Sequence, residues 1–220
     1  MAIGATLFAY IVAGVFFILT LRGLSNPESS RQGNMLGMVG MAIAIITTLF
    51  SPVVQSYIWI ILGITIGGSI GAVVARKIQM TALPQLVAAF HSLVGLAAVC
   101  VATAALLSPQ SYGIGTAGSL AVGSLVEMSL GLAIGAVTFS GSIIAFAKLQ
   151  GLMSGNPLVF PGQHKLNAVL GIAIVALIFL FCTSENYTLF FAIMALSFLI
   201  GFLLILPIGG FFFGNLLSTA

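Results

Sequence analysis

Apolar residues in this chain gather into long runs, and polar or turn-forming residues are confined to the short stretches between them. A bilayer hydrocarbon core about 30 Å thick is crossed by roughly 20 helical residues. About seven segments meet that length or come close: 3–21, 35–50, 53–75, 84–107, 120–147, 166–183 and 187–206. Pro, Gly or charged residues separate them, and the Ser51-Pro52 break is tight enough for a helical hairpin. The expected fold is all-α, a polytopic transmembrane helix bundle. The opening run, "MAIGATLFAYIVAGVFFILTLRG", lacks a basic start and is too long for the core of a signal peptide, so it is expected to remain as the first span.

Composition agrees with the pattern. Of 220 residues, 60% are hydrophobic and 4% charged, with mean hydropathy +1.28, against about 25% charged residues in an ordinary soluble domain. So few charges cannot solvate a globule of 22.7 kDa. A net charge of +3 would suggest nucleic acid in a soluble protein; here the placement of the six basic residues matters more. Arg22 and Arg31, Arg76 and Lys77, and Lys148 and Lys165 fall in alternate loops, all on one side of the predicted bundle. The positive-inside rule makes that side cytoplasmic and puts the N-terminus outside. Cys100 and Cys182 lie within apolar runs and read as small buried hydrophobes, with no metal-ligand spacing.

Glycine spacing suggests how the helices meet. Membrane helices associate through close packing and interhelical hydrogen bonds. Gly63, Gly67 and Gly71 form a small-residue ridge on the third span. Glu127, Gly131, Gly135, Thr138 and Ser142 share one face of the fifth. The glycines of both sets are explained by packing alone; the carboxylate is not.

His91 and Glu127 are the ionisable side chains expected well inside a span. Such groups usually face a protein interior or a water-filled cavity. His91 is about 10 Å in from Pro84, and Ser142 lies at a similar depth on the fifth span. Glu127 is about 22 Å nearer the outside. A free imidazole titrates near neutral pH, so a histidine between two aqueous sides suits a stepwise proton path. The plainer readings are a histidine bonded to a backbone carbonyl and a Glu127 solvated at interface depth. His164, beside Lys165 in "FPGQHKLN", reads as a surface or docking residue. No glycine-rich βαβ turn, P-loop or hydrolytic triad is present.

The stretches "QMTALPQLVAAFHSLVGLAAV", "GAVTFSGSIIAFAKLQG", "PGQHKLNA" and "LRGLSNPESSRQGN" resemble, in order, the membrane domain of the β subunit of proton-translocating nicotinamide nucleotide transhydrogenases. The resemblance runs from the first span to "LPIGG" at Leu206–Gly210. It implies an enzyme that transfers hydride between NAD(H) and NADP(H) while protons cross the membrane. It implies His91 as the proton-carrying group, Ser142 and Glu127 along the same path, and partners comprising the α subunit and an NADP(H)-binding domain in a dimeric complex. This chain would bind no cofactor or metal and could not transfer hydride alone. The expected location is a bacterial inner membrane, with the lipid bilayer and no nucleic acid as further partner. Where the family continues with further helices and a nucleotide domain, this sequence reads "FFFGNLLSTA". Residues 1–210 are therefore expected to form the transmembrane proton-translocating domain and 211–220 an atypical tail. Gln79, Ala82 and Gln85 stand where some relatives carry acids. Two other classes stay open on the residues alone: a stand-alone proton or ion transporter, and a structural membrane subunit in which His91 is incidental.

Overall fold

A computed structural model of the chain describes residues 3–51, 54 and 56–209. The expected tail, 211–220, lies outside the described residues. Among the described residues seven helices are long and apolar enough to cross a membrane. They fall into two compact units, Met1–Arg76 and Lys77–Ala220.

In the first unit, α1 (Ile3–Leu24) and α2 (Ser30–Leu49) form an antiparallel hairpin. Their backbones meet through glycine: a Cβ on Gly23 would sit 2.5 Å from the Gly33 Cα, and one on Gly40 would sit 2.9 Å from the Phe16 Cβ. The turn is tied by Ser29 Oγ, which donates to the Gly23 carbonyl (2.8 Å). At the other end the Tyr10 and Thr48 hydroxyls lie 2.8 Å apart. The helix α3 (Tyr57–Lys77) buries none of its residues.

Two starts differ from the sequence expectation by four residues or more. Helix α2 begins at Ser30, five residues before position 35, because "SRQGN" continues the helix in polar surroundings that hydropathy does not count. Helix α3 begins at Tyr57 rather than 53, after a chain held in turns by Ser51 N–H to the Thr48 carbonyl and Val54 N–H to the Ser51 carbonyl.

The second unit is organised around one long helix. Its elements are α4 (Leu83–Leu107), the strands β1 (Gly115–Thr116) and β2 (Ser119–Leu120), α5 (Val122–Leu149), α6 (Gln163–Ser184) and α7 (Tyr187–Ile205). The strands pair antiparallel, Gly115 with Leu120 and Thr116 with Ser119, around a turn in which Gly118 takes φ +85°. Helix α5 packs against α4, α6 and α7. Leu125, Leu132 and Ala136 of α5 are buried with Phe181 of α6 and with Phe190 and Ile193 of α7. The Phe181 and Phe190 rings lie 5.5 Å apart. That apolar cluster fills the end of the unit away from its basic residues. Close approach drives the packing here, because lipid is as apolar as the side chains. A Cβ on Gly201 of α7 would overlap Ser140 Oγ and come within 2.6 Å of the Val137 carbonyl oxygen, so α5 and α7 touch backbone to backbone.

Candidate functional site

Helix α4 starts where its sequence allows, with Pro84 in the first turn, where no backbone N–H is needed. Its middle is rich in small residues, and it crosses α5 at two glycines. A Cβ on Gly95 would lie 2.5 Å from the Phe139 nitrogen and 2.7 Å from the Gly135 oxygen; one on Gly135 would lie 2.8 Å from the Ala98 Cβ. Gly135 thus lies at the contact between the two helices. The crossing also sets the register of the antiparallel pair. His91 lies one helical turn from Gly95 toward the basic end, and Ser142 lies three residues past Phe139 in the same direction. The two candidate residues stand at nearly the same level.

They are not joined. His91 is exposed and Ser142 half-buried, and neither side chain makes a hydrogen bond to another described residue. Among the described residues no carbonyl accepts a hydrogen bond from His91.

Glu127 occupies the other arm of the pair. It lines a groove of about 520 Å³ between α4 and α5, with Val94, Ala98 and Val101 on one wall and Ser124 and Gly131 on the other. His91, Val94, Ala98 and Val101 follow one another at helical spacing, so His91 continues the α4 wall one turn beyond the groove. Glu127 and His91 are separated by about 20 Å along the helix axes. Gly131 faces the groove, with nothing within 4 Å of an added Cβ. In the first unit, Gly63, Gly67 and Gly71 likewise meet nothing within 4 Å, so that ridge is unused by its own unit.

Three polar side chains that the sequence reading passed over are structural. Lys148, counted there as a loop charge, is buried at 5% exposure at the end of α5. Its Nζ donates to the carbonyls of Leu206 (2.6 Å), Ile208 (2.7 Å) and Ile205 (3.2 Å). Gln163, also buried, donates to the Leu203 carbonyl (3.2 Å). At the opposite end, Glu185 closes α6 at φ +49° and accepts a hydrogen bond from the Leu120 N–H (2.8 Å). A signal for Lys148 was available, since Ser140, Ile144 and Lys148 recur every four residues on the buried face of α5. Gln85 ties α4 to α5 at the basic end, donating to the Leu149 carbonyl (3.1 Å) and accepting from Gln150 Nε2 (2.9 Å).

Among the described residues no three His, Cys, Asp or Glu side chains come together as a metal site. The strands among them are two residues long and form no βαβ unit, so these residues do not fit a nicotinamide nucleotide.

Comparison with known proteins bears on these helices directly. The family profile described as NAD(P) transhydrogenase beta subunit matches residues 6–212. Two curated relatives from Rhodospirillum rubrum, both named NAD(P) transhydrogenase subunit beta, are each 68% identical over 205 residues, which is 93% of this chain. The chain spans 44% of the length of those relatives. The chain belongs to the NAD(P) transhydrogenase beta subunit family.

Proposed function

We propose that this chain is the proton-conducting membrane part of an NAD(P) transhydrogenase, coupling proton movement to hydride transfer between NAD(H) and NADP(H). The observation that carries this reading is the state of His91. It stands exposed on the α4 wall that continues the Glu127 groove, level with Ser142, with no hydrogen bond from another described residue. An ionisable side chain left open on a membrane helix is costly unless water or another helix meets it. Partner helices closing over the α4–α5 face would enclose His91, Ser142 and Glu127 in one passage.

In this mechanism Glu127 collects protons at the end away from the basic residues, and His91 passes them onward. Ser142 stands level with His91, and its hydroxyl would donate to or accept from the imidazole. The basic end is cytoplasmic, following the positive-inside rule. Proton binding drives work only when two arrangements of the protein differ in proton affinity, so His91 would face a different side in each. The nucleotides belong to other domains of the complete protein, with which these helices would assemble. The unused Gly63–Gly67–Gly71 ridge supports a helix from another subunit or a second protomer packed there. A bacterial inner membrane fits a bacterial relative.

The test is His91→Ala in the complete enzyme in sealed vesicles, reading proton uptake during hydride transfer. Coupled uptake should fall about 100-fold or more, the scale of a lost proton-transfer group, with unchanged protein in the membrane. Wild-type coupling in that variant would refute the reading.

A further inference from the structure

A helix leaves its last four carbonyls without partners inside the helix. At the end of α7 some of these, and carbonyls just beyond the helix, are taken up by one lysine and its neighbours. Lys148 Nζ reaches Ile205, Leu206 and Ile208. Gln163 takes Leu203, and the Leu158 N–H takes Leu206 a second time (3.1 Å). No carboxylate is among the acceptors of Lys148. A buried ammonium without a counter-ion is costly, and here the negative end of the α7 dipole answers it. The lysine grips backbone, so it fixes the path of the chain leaving α7 whatever side chains that segment carries.

The same two helices are locked further along. Gly201 lies against Ser140 and Val137, and a Cβ on Gly141 would sit 3.1 Å from Ile205 Cγ1. Ser142 is six residues from Lys148 on one continuous helix. A shift of α5 at the level of Ser142 therefore cannot be absorbed between α5 and α7 and must move Leu206–Ile208 with it.

We infer that Lys148 is a positioning residue, which transmits movement of α5 to the chain segment following α7. The inference rests on the proton-path reading for what moves α5. The geometry also demands three separate N–H donors splayed toward the carbonyls of Ile205, Leu206 and Ile208, which suits an ammonium better than the planar fork of arginine.

Two measurements test it in the complete enzyme. In sealed vesicles, Lys148→Met should lower coupled hydride transfer about tenfold and lower the protons moved per hydride, and Lys148→Arg should recover part of both. A purely structural role would lower the rate with protons per hydride unchanged, which overturns the proposal, as does wild-type behaviour. The second readout is independent of proton movement. Spin labels on the exposed positions Leu152 and Ile208 report the α5–α7 junction in detergent. Their distance distribution should broaden in Lys148→Ala, narrow again with millimolar propylammonium, and stay broad with 1-propanol. An unbroadened distribution, or one that both additives narrow alike, overturns the clamp. If the clamp behaves as expected while His91→Ala keeps full coupling, the proton-path reading fails and the mechanical link stands.

Discussion

The two faces of α5, toward α4 and toward α7, treat polar side chains in opposite ways. On the α4–α5 face, His91 and Glu127 are exposed, and neither makes a side-chain hydrogen bond to a described residue. At the basic end of α5 and α7, Lys148 and Gln163 are buried and bonded to backbone carbonyls. Both sets sit in helices of similar hydropathy, so hydropathy does not tell them apart. The difference lies in which groups the chain satisfies by itself. Polar atoms that hold the unit together have their partners within it, whereas His91 and Glu127 have none among the described residues. Asn167 Oδ1 and Ser197 Oγ are the exceptions among the described residues, buried without a hydrogen-bond partner.

The contrast can be broken most forcefully at the crossing beneath the clamp. Gly201→Val would drive a side chain into Ser140 and the Val137 carbonyl, costing about 3 kcal/mol, read as a fall in thermal unfolding temperature of the purified protein. A next, smaller effect sets the two regions side by side. Lys148→Met takes the ammonium from three carbonyls, two of which keep a backbone N–H, and should cost about 2 kcal/mol, whereas His91→Gln should stay within about 0.5 kcal/mol. Equal losses in matched denaturation curves would erase the distinction drawn here. Milder than the loss of Lys148 is Glu185→Ala, which frees the Leu120 N–H at the far end. About 1 kcal/mol is expected, with faster amide exchange at Leu120 as the local check.

Much of the fold was legible because the bilayer imposes a length on each helix. The sequence spans match the seven helices, and the misplacements fall at polar ends. Gln163 and His164 belong to α6, and Ser30 to Asn34 belong to α2, although hydropathy assigns them to loops. Apolar runs measure the thickness of hydrocarbon, not the reach of the backbone hydrogen bonds. His91 and Glu127 were legible as ionisable residues in apolar runs, and Ser142 by its depth. Their exposure was not, since a span carries no mark of which face its own chain covers. Gly135 and the Gly63–Gly67–Gly71 ridge look alike in sequence, yet only Gly135 meets a neighbour in its unit. Lys148 was misjudged because a charge at a helix end suggests water, while the dipole of a second helix offers an equivalent destination.

The Gly95–Gly135 crossing has a mechanical consequence. With backbone resting on backbone there is no side chain to compress, and the contact serves as a fulcrum. His91 sits on a short arm of about 6 Å and Glu127 on a longer one of about 12 Å on the other side. A 10° rocking of either helix would swing these arms by about 1 Å and 2 Å in opposite senses. Opening at one mouth would accompany narrowing at the other, the movement a gated passage needs to avoid being open at both ends at once.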